Sequence, residues 1–330
     1  MNKVINVGIV GIGWWASVHA EALKKNKFMK LVTCYTRNAE KAKEFAYKYN
    51  CNYEDSYINL LKRKDLDAVI ITTPHTTHKE LAIMAANSGK HALVEKPLAN
   101  TVKDCKEIIE AFENQDLILA VGHDKRWMGQ HRKMKEMIKE GKIGRVIFSD
   151  GYYFNPLGLN LTPDKWRFYR EESPGGSLAY LGIHMIDTLR FLLGSEVYEV
   201  TSMMDKIATP AEIDDVAIAL LKFENHTYGF IASVFVTPRI FNVNLYCTEA
   251  NLFSNENGEL YIQPRDQLNK MKIEVEKVDP VLKEQEDFAL SIISKKKPEV
   301  DGYEGMKNVA IIEAIIRSAK EKRTIKVESF

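Results

Sequence analysis

Val4–Ala22, VINVGIVGIGWWASVHAEA, is the stretch whose reading decides the fold. An apolar run from Val7 to Val10 leads into Gly11-Ile12-Gly13-Trp14-Trp15-Ala16 and then into a helix-like pattern. Strand, glycine turn and helix follow in the order that a dinucleotide-binding crossover needs. Gly11 permits the tight turn, Gly13 lets the backbone approach a pyrophosphate, and Ala16 keeps the helix close to the strand. The helix start offers N–H groups and a partial positive charge to the phosphates. Gly11, Gly13, Trp14, Trp15 and Ala16 are therefore candidate coenzyme contacts. Glycine also punctuates ordinary turns, so the surroundings must support the reading.

Working outward, Lys30–Thr36 is β-branched and aromatic and reads as the second strand. The residue that meets the adenosine ribose belongs at its end. Thr36 and Arg37 stand there, with no carboxylate. An acid would repel a 2′-phosphate, whereas a hydroxyl and a guanidinium suit one, so NADP is expected in preference to NAD. Asn38–Tyr49 has helix composition. Leu66–Thr73 is a nearly continuous apolar run, as expected of a parallel strand buried on both faces. It ends at Thr73-Pro74, and His78 opens the next helix. His75 and His78 have no accompanying acid or cysteine, so no metal site is read there. Ala92–Glu95 is a further strand, stopping at Glu95-Lys96-Pro97. Ligands of an open parallel sheet sit beyond the carboxyl ends of its strands, which places Thr73, Pro74, His78, Glu95, Lys96 and Pro97 at the nicotinamide end. The Lys96 ammonium can hydrogen-bond a substrate hydroxyl and favour the developing alkoxide, and the bond to Pro97 is a candidate for cis geometry. Thr101 to Asp104 resembles a capping box, and Leu117–Gly122 is the next strand.

The bulk composition narrows the function classes. The 330 residues favour two domains, here residues 1–123 and 124–330. A hydrophobic share of 45% with 28% charged residues is that of an ordinary soluble protein, and a net charge of +1 gives no case for nucleic acid or an anionic membrane. No apolar run reaches the length of a membrane span and no secretory signal is apparent. Cys34, Cys51, Cys105 and Cys247 form no CxxC pair and read as reduced thiols of a cytoplasmic protein.

Lys125–Ile143 reads as a helix joining the domains. Beyond it the pattern turns to strands: Val146–Phe154, Val197–Met204, Val216–Phe223, Tyr228–Val236 and Val243–Thr248. Short loops between them suggest a largely antiparallel sheet. One helix, Ser177–Leu193, interrupts them and is ended by Gly194. Tyr180, His184 and Asp187 fall on one face of it, and an imidazole beside a phenol is a credible acid–base pair. Arg126, Trp127, Tyr153, Trp166 and Arg167 are candidate substrate contacts, with Tyr152 and Asn155 nearby on the same strand end. Tyr303–Lys322 is amphipathic, with Val309, Ile312, Ile315 and Ile316 toward a core.

GIGWWA, TPHTTH, EKPLA and the GGSLAYLGIH–MID helix together resemble the glucose–fructose oxidoreductase/inositol dehydrogenase (Gfo/Idh/MocA) family, end to end. The resemblance implies an N-terminal Rossmann domain with a doubly wound parallel sheet. It also implies a C-terminal α/β domain whose open sheet forms a homodimer or homotetramer interface. The implied chemistry is NAD(P)-dependent hydride transfer with a sugar, polyol or keto-sugar, or a cyclic dihydrodiol. The family's EKP lysine falls on Lys96 and its helical histidine on His184. Many family dehydrogenases carry an aspartate four residues before that histidine; here Tyr180 stands there. The resemblance to keto-sugar reductases leaves two roles for Tyr180: a proton donor, with Lys96 lowering its pKa, or a ring that packs against the coenzyme with no proton role. A non-catalytic coenzyme sensor and an NAD-dependent glycosidase are the alternatives of the same fold.

Overall fold

In the structure, a computed structural model that describes residues 4–330, the opening run forms β1 (Ile5–Val10) and passes through the glycine turn into α1 (Trp14–Leu23). β2 (Met29–Tyr35), α2 (Ala39–Tyr49), β3 (Asn52–Tyr53), α3 (Tyr57–Leu61) and β4 (Ala68–Ile71) follow, then α4 (His78–Asn87), β5 (His91–Glu95), α5 (Val102–Glu113) and β6 (Leu119–Gly122). Local chemistry sets the helix starts. The Asn38 side chain accepts from the Lys41 N–H, and Thr101 accepts from the Asp104 N–H as its capping pattern predicts. The sheet order is β3-β2-β1-β4-β5-β6, parallel throughout. This is the doubly wound arrangement expected from the sequence, with strand order reversing beside β1.

The second half contains α6 (Gly129–Lys139), β7 (Val146–Phe154), α7 (Ile183–Leu193), β8 (Val197–Asp205), β9 (Val216–Phe223), β10 (Tyr228–Val234), β11 (Ile240–Cys247), β12 (Ala250–Ser254), β13 (Leu260–Pro264) and β14 (Met271–Ile273). The chain closes with α8 (Pro280–Ser294), α9 (Gly302–Glu321) and β15 (Ile325–Lys326). The second sheet runs β14-β13-β12-β11-β7-β10-β9-β8-β15. Only the β7–β10 pair is parallel. Met185, Ile186 and Leu189 of α7 pack with Ala219, Leu221, Phe241 and Val243 in its main core.

Three expectations change. The 125–143 segment is not one helix: residues 124–127 form a 3-10 turn and α6 begins only at Gly129. The helix predicted over Ser177–Leu193 starts with a π-helical turn, Leu178–Gly182, before continuing as α7. The chain also crosses between compact units more than once. One unit comprises residues 4–124 and 279–309, the other 125–278 and 310–330. The sequence reading assigns residues 279–309 to the second domain. Instead, Phe288 and Ala289 of α8 are fully buried with Ala16, Ala20 and Leu23 of α1. Burying Phe288 alone is worth about 2–3 kcal/mol, which fixes α8 on that face.

Candidate coenzyme and catalytic residues

The turn after β1 has the geometry that a phosphate cradle requires. Gly11 has φ +89°, and its N–H donates to the Tyr35 carbonyl at 2.9 Å. A Cβ at Gly11 would lie 2.5 Å from Thr73 Cγ2 and 2.9 Å from the Thr73 nitrogen, so only glycine fits against the end of β4. At Gly13 a Cβ would meet nothing within 4 Å, so the space in front of the helix start is open. Gly13 is the N-cap of α1, supplies no side-chain cap, and no acidic residue occupies the first turn. The donors of that turn are thus left for an anion, as a dinucleotide pyrophosphate requires. These residues fit such a coenzyme. Thr36 and Arg37 follow β2 directly, the guanidinium-bearing residue being exposed.

At the ends of β4 and β5 the side chains converge. The Lys96–Pro97 bond is cis. His78 is fully buried, with Nδ1 2.9 Å from the Pro97 carbonyl oxygen and Nε2 3.0 Å from that of Thr73. It ties the two strand ends together, and both ring nitrogens are turned to backbone rather than to His75, whose ring lies 5.8 Å away. Burial pushes the His78 pKa down, against the two carbonyl contacts.

Glu95 is 8% exposed. Its Oε1 accepts from the Trp15 indole N–H and lies 2.8 Å from His19 Nε2, while Oε2 accepts from the Lys96 backbone N–H at 3.2 Å. Burial alone would raise its pKa, but the His19 and Trp15 hydrogen bonds and the Lys96 charge outweigh it and hold the carboxyl below its ordinary value. His19, Glu95 and Glu284 bring three ligand-type atoms within 4.8 Å of one another. The sequence reading missed this cluster. Its one signal was His19, an imidazole on the apolar face of α1 four residues after Trp15.

In the second unit, His184 of α7 is 7% exposed and its ring faces Tyr153 at 5.8 Å. Tyr153 and Tyr152 point to opposite faces of β7, Tyr152 meeting Phe154 and Phe230 instead. Tyr180 sits in the π-helical turn. It stacks on Phe235 at 5.3 Å, meets Trp166 edge-on at 5.9 Å, and has the exposed Arg167 above its ring at 5.4 Å. Burial raises the phenol's pKa, because the phenolate loses its hydration.

Asp187 shares the helix with His184, yet its carboxylate is given to Arg126. Arg126 Nε donates at 2.7 Å and its terminal nitrogen at 2.8 Å, with both residues buried. Arg126 is therefore held in the interior by a bidentate pair. Trp127 is covered by the Arg132 guanidinium at 3.9 Å.

Two family models match this chain, one in each half. Residues 5–123 match the profile of an oxidoreductase family with an NAD-binding Rossmann fold, and residues 131–253 match the GFO/IDH/MocA C-terminal domain. A solved structure from Desulfitobacterium hafniense DCB-2, described as a candidate NADPH-dependent oxidoreductase, superposes with a TM-score of 0.94. It is 33% identical, and the match covers 99% of this chain and 98% of that one. The myo-inositol 2-dehydrogenase of Thermotoga maritima is 25% identical over 98% of this chain and 99% of its own length. A 2,7-anhydro-N-acetylneuraminate hydratase of Mediterraneibacter gnavus is 29% identical over 69% of this chain, the match spanning 61% of that protein.

Proposed function

We propose, from the premise that this chain belongs to the Gfo/Idh/MocA family of oxidoreductases, that it transfers a hydride between a nicotinamide coenzyme and a sugar, polyol or keto-sugar. The observation that carries this reading lies within one unit: an open, uncapped glycine cradle and, at the end of β5, a lysine. When bound, the coenzyme supplies the hydride donor or acceptor. Gly11, Gly13 and Ala16 hold its pyrophosphate on the start of α1, with Trp14 and Trp15 flanking. Thr36 and Arg37 receive a ribose 2′-phosphate, so NADP(H) is preferred; the described activity of the D. hafniense protein supports this. Thr73, Pro74, His78 and Pro97 shape the nicotinamide end. Lys96 hydrogen-bonds the reacting oxygen and stabilises negative charge on it. His184 exchanges the proton. Tyr180, a phenol whose pKa burial raises further above neutrality, donates a hydrogen bond in the reductive direction. Tyr153, Trp166 and Arg167 contact substrate, and Arg126 and Trp127 support them.

Lys96→Ala is expected to lower turnover about a hundredfold or more while coenzyme affinity stays within about threefold. A screen of sugars, polyols and keto-sugars, followed by absorbance of the reduced nicotinamide, measures it; undiminished turnover removes Lys96 from the chemistry. Fluorescence titration should show NADPH binding about tenfold tighter than NADH, one charge-assisted contact's worth. Tighter NADH would refute the role of Arg37.

The similarity to a hydratase favours a second reading, in which the coenzyme leaves each turnover in the state it entered. Substrate loss by chromatography without any net change in nicotinamide absorbance would select it.

The protein self-associates as a homodimer or homotetramer through the outer face of the second sheet. There Met203, Ile218, Leu220 and Tyr228 are exposed together on neighbouring strands β8, β9 and β10. Among the described residues no helix is long and apolar enough to cross a membrane, and the four free thiols suit the cytoplasm.

A further inference from the structure

Glu95 precedes Lys96 in the chain, yet its carboxylate is buried and bonded to α1. The hydrogen-bond partners of that carboxylate belong to the first unit. The Trp15 indole and the His19 imidazole reach Oε1 from α1, and the Lys96 backbone N–H reaches Oε2. The direction of these bonds is fixed from further in. The Gln285 side-chain nitrogen donates to the His19 carbonyl at 3.0 Å and lies 3.1 Å from His19 Nδ1. A nitrogen that faces a carbonyl carries the hydrogens, so Nδ1 is the acceptor and the ring proton sits on Nε2, toward Glu95. Proton donors already stand where a cation would have to sit, so this cluster is a hydrogen-bonded network rather than a metal site. Space for the carboxylate is also built in. A Cβ at Gly122 of the neighbouring strand β6 would lie 2.7 Å from Glu95 Oε1, so only glycine leaves the group its place.

We infer that Glu95 is a positioning residue that fastens the first two turns of α1 to the backbone at Lys96. The phosphate cradle and the lysine ammonium are thereby held as one piece. This rests on the proposed role of Lys96. The physical case is that one buried carboxylate accepts from two different segments at once. Removing its charge therefore frees both ends, not one.

Amide deuterium exchange on the full chain tests the coupling without any substrate. Peptides covering residues 13–20 and 95–101 are followed in the wild type, Glu95→Gln and Trp15→Phe. Glu95→Gln is isosteric but must turn an N–H2 toward one of the donors. Trp15→Phe removes one donor and keeps a ring, which guards against a variant that fails to fold. Exchange is expected to rise about tenfold or more in both segments for both variants, with α5 unchanged. A rise confined to the segment bearing the substitution overturns the inference.

Turnover is measured beside it. Glu95→Gln should lower kcat about tenfold or more with the substrate KM within about threefold, and Glu95→Asp should recover part of kcat. If Lys96→Ala abolishes turnover while Glu95→Gln retains it, the inference fails. If Lys96→Ala itself retains turnover, the functional reading fails, and the exchange data alone decide the coupling.

Discussion

Every residue of β4 and β6 in the first unit is buried, whereas along β9 in the second unit buried and partly or fully exposed residues alternate. The difference follows from what covers each sheet. Helices on both faces of a parallel sheet leave its strands no solvated side, so polar chemistry is pushed to the strand ends. There the backbone does most of the shaping: Gly11 against Thr73, and His78 between two carbonyls. A mostly antiparallel sheet with one open face can place polar side chains along its length. Its helix α7 is buried throughout its first two turns, and the charges it carries into the interior are paired, Asp187 with Arg126 and Arg190 with Glu196. The turn at Gly11 in the first unit is thus sensitive to added atoms, and the buried pair at Asp187 in the second to a lost partner.

Asp187→Ala is the strongest way to break that contrast. It strips a buried guanidinium of its bidentate carboxylate and should cost about 3–5 kcal/mol in denaturant unfolding. A cost near zero would mean that Arg126 reaches water. Gly11→Ala acts on the other unit, forcing a Cβ into the left-handed region and onto Thr73. About 2–3 kcal/mol of stability should be lost together with coenzyme binding, read by thermal unfolding and fluorescence titration. If Gly11→Ala proves milder than a surface substitution, the first unit is not shaped by its backbone. Leu220→Lys sharpens the open-face side of the comparison. Stability of the protomer should change by less than about 0.5 kcal/mol, while sedimentation shows a smaller assembly; an unchanged assembly moves the interface elsewhere.

The smallest effect concerns Glu259, half-buried just before β13 of the second sheet. Lys272 at 2.6 Å, with Asn255 and Tyr261, holds its carboxyl at about 2, below the usual 4.5. Because the folded state binds this proton less tightly, its contribution is present above pH 4.5 and is lost as pH falls through about 2. Carbon-detected titration should find that midpoint, rising toward the usual value in high salt. A midpoint already at the usual value in low salt would show the pair to be broken in solution.

Much of the first unit was legible because parallel strands leave a simple trace, an apolar run ended by a turn. β1, β4 and β5 are each placed to within a few residues, and the glycine turn and Lys96 come with them. The second unit's long strands were legible as successive strand-like runs separated by short loops. Short strands were not: β12 to β15 carry two to five residues each, too few for a period to appear. The π-helical turn at Tyr180 was invisible because the composition of an apolar helix does not encode one extra residue in a turn. Helical spacing puts Asp187 on one face with Tyr180 and His184. Only the fold reveals that Arg126, far away in sequence, claims it. Glu95 was placed at the nicotinamide end because its position beside Lys96 was known, but its side-chain partners, Trp15 and His19, arrive from α1.

The chain's repeated crossing between units bears on how this protein can be dissected. A fragment ending at Asp124 would contain the whole six-stranded sheet yet leave Ala16, Ala20 and Leu23 without Phe288 and Ala289, and the Glu95 network without Gln285. Such a piece should be sticky and poorly folded. A faithful excision has to graft residues 279–309 back through a flexible linker, cutting α9 where it leaves the unit after Val309.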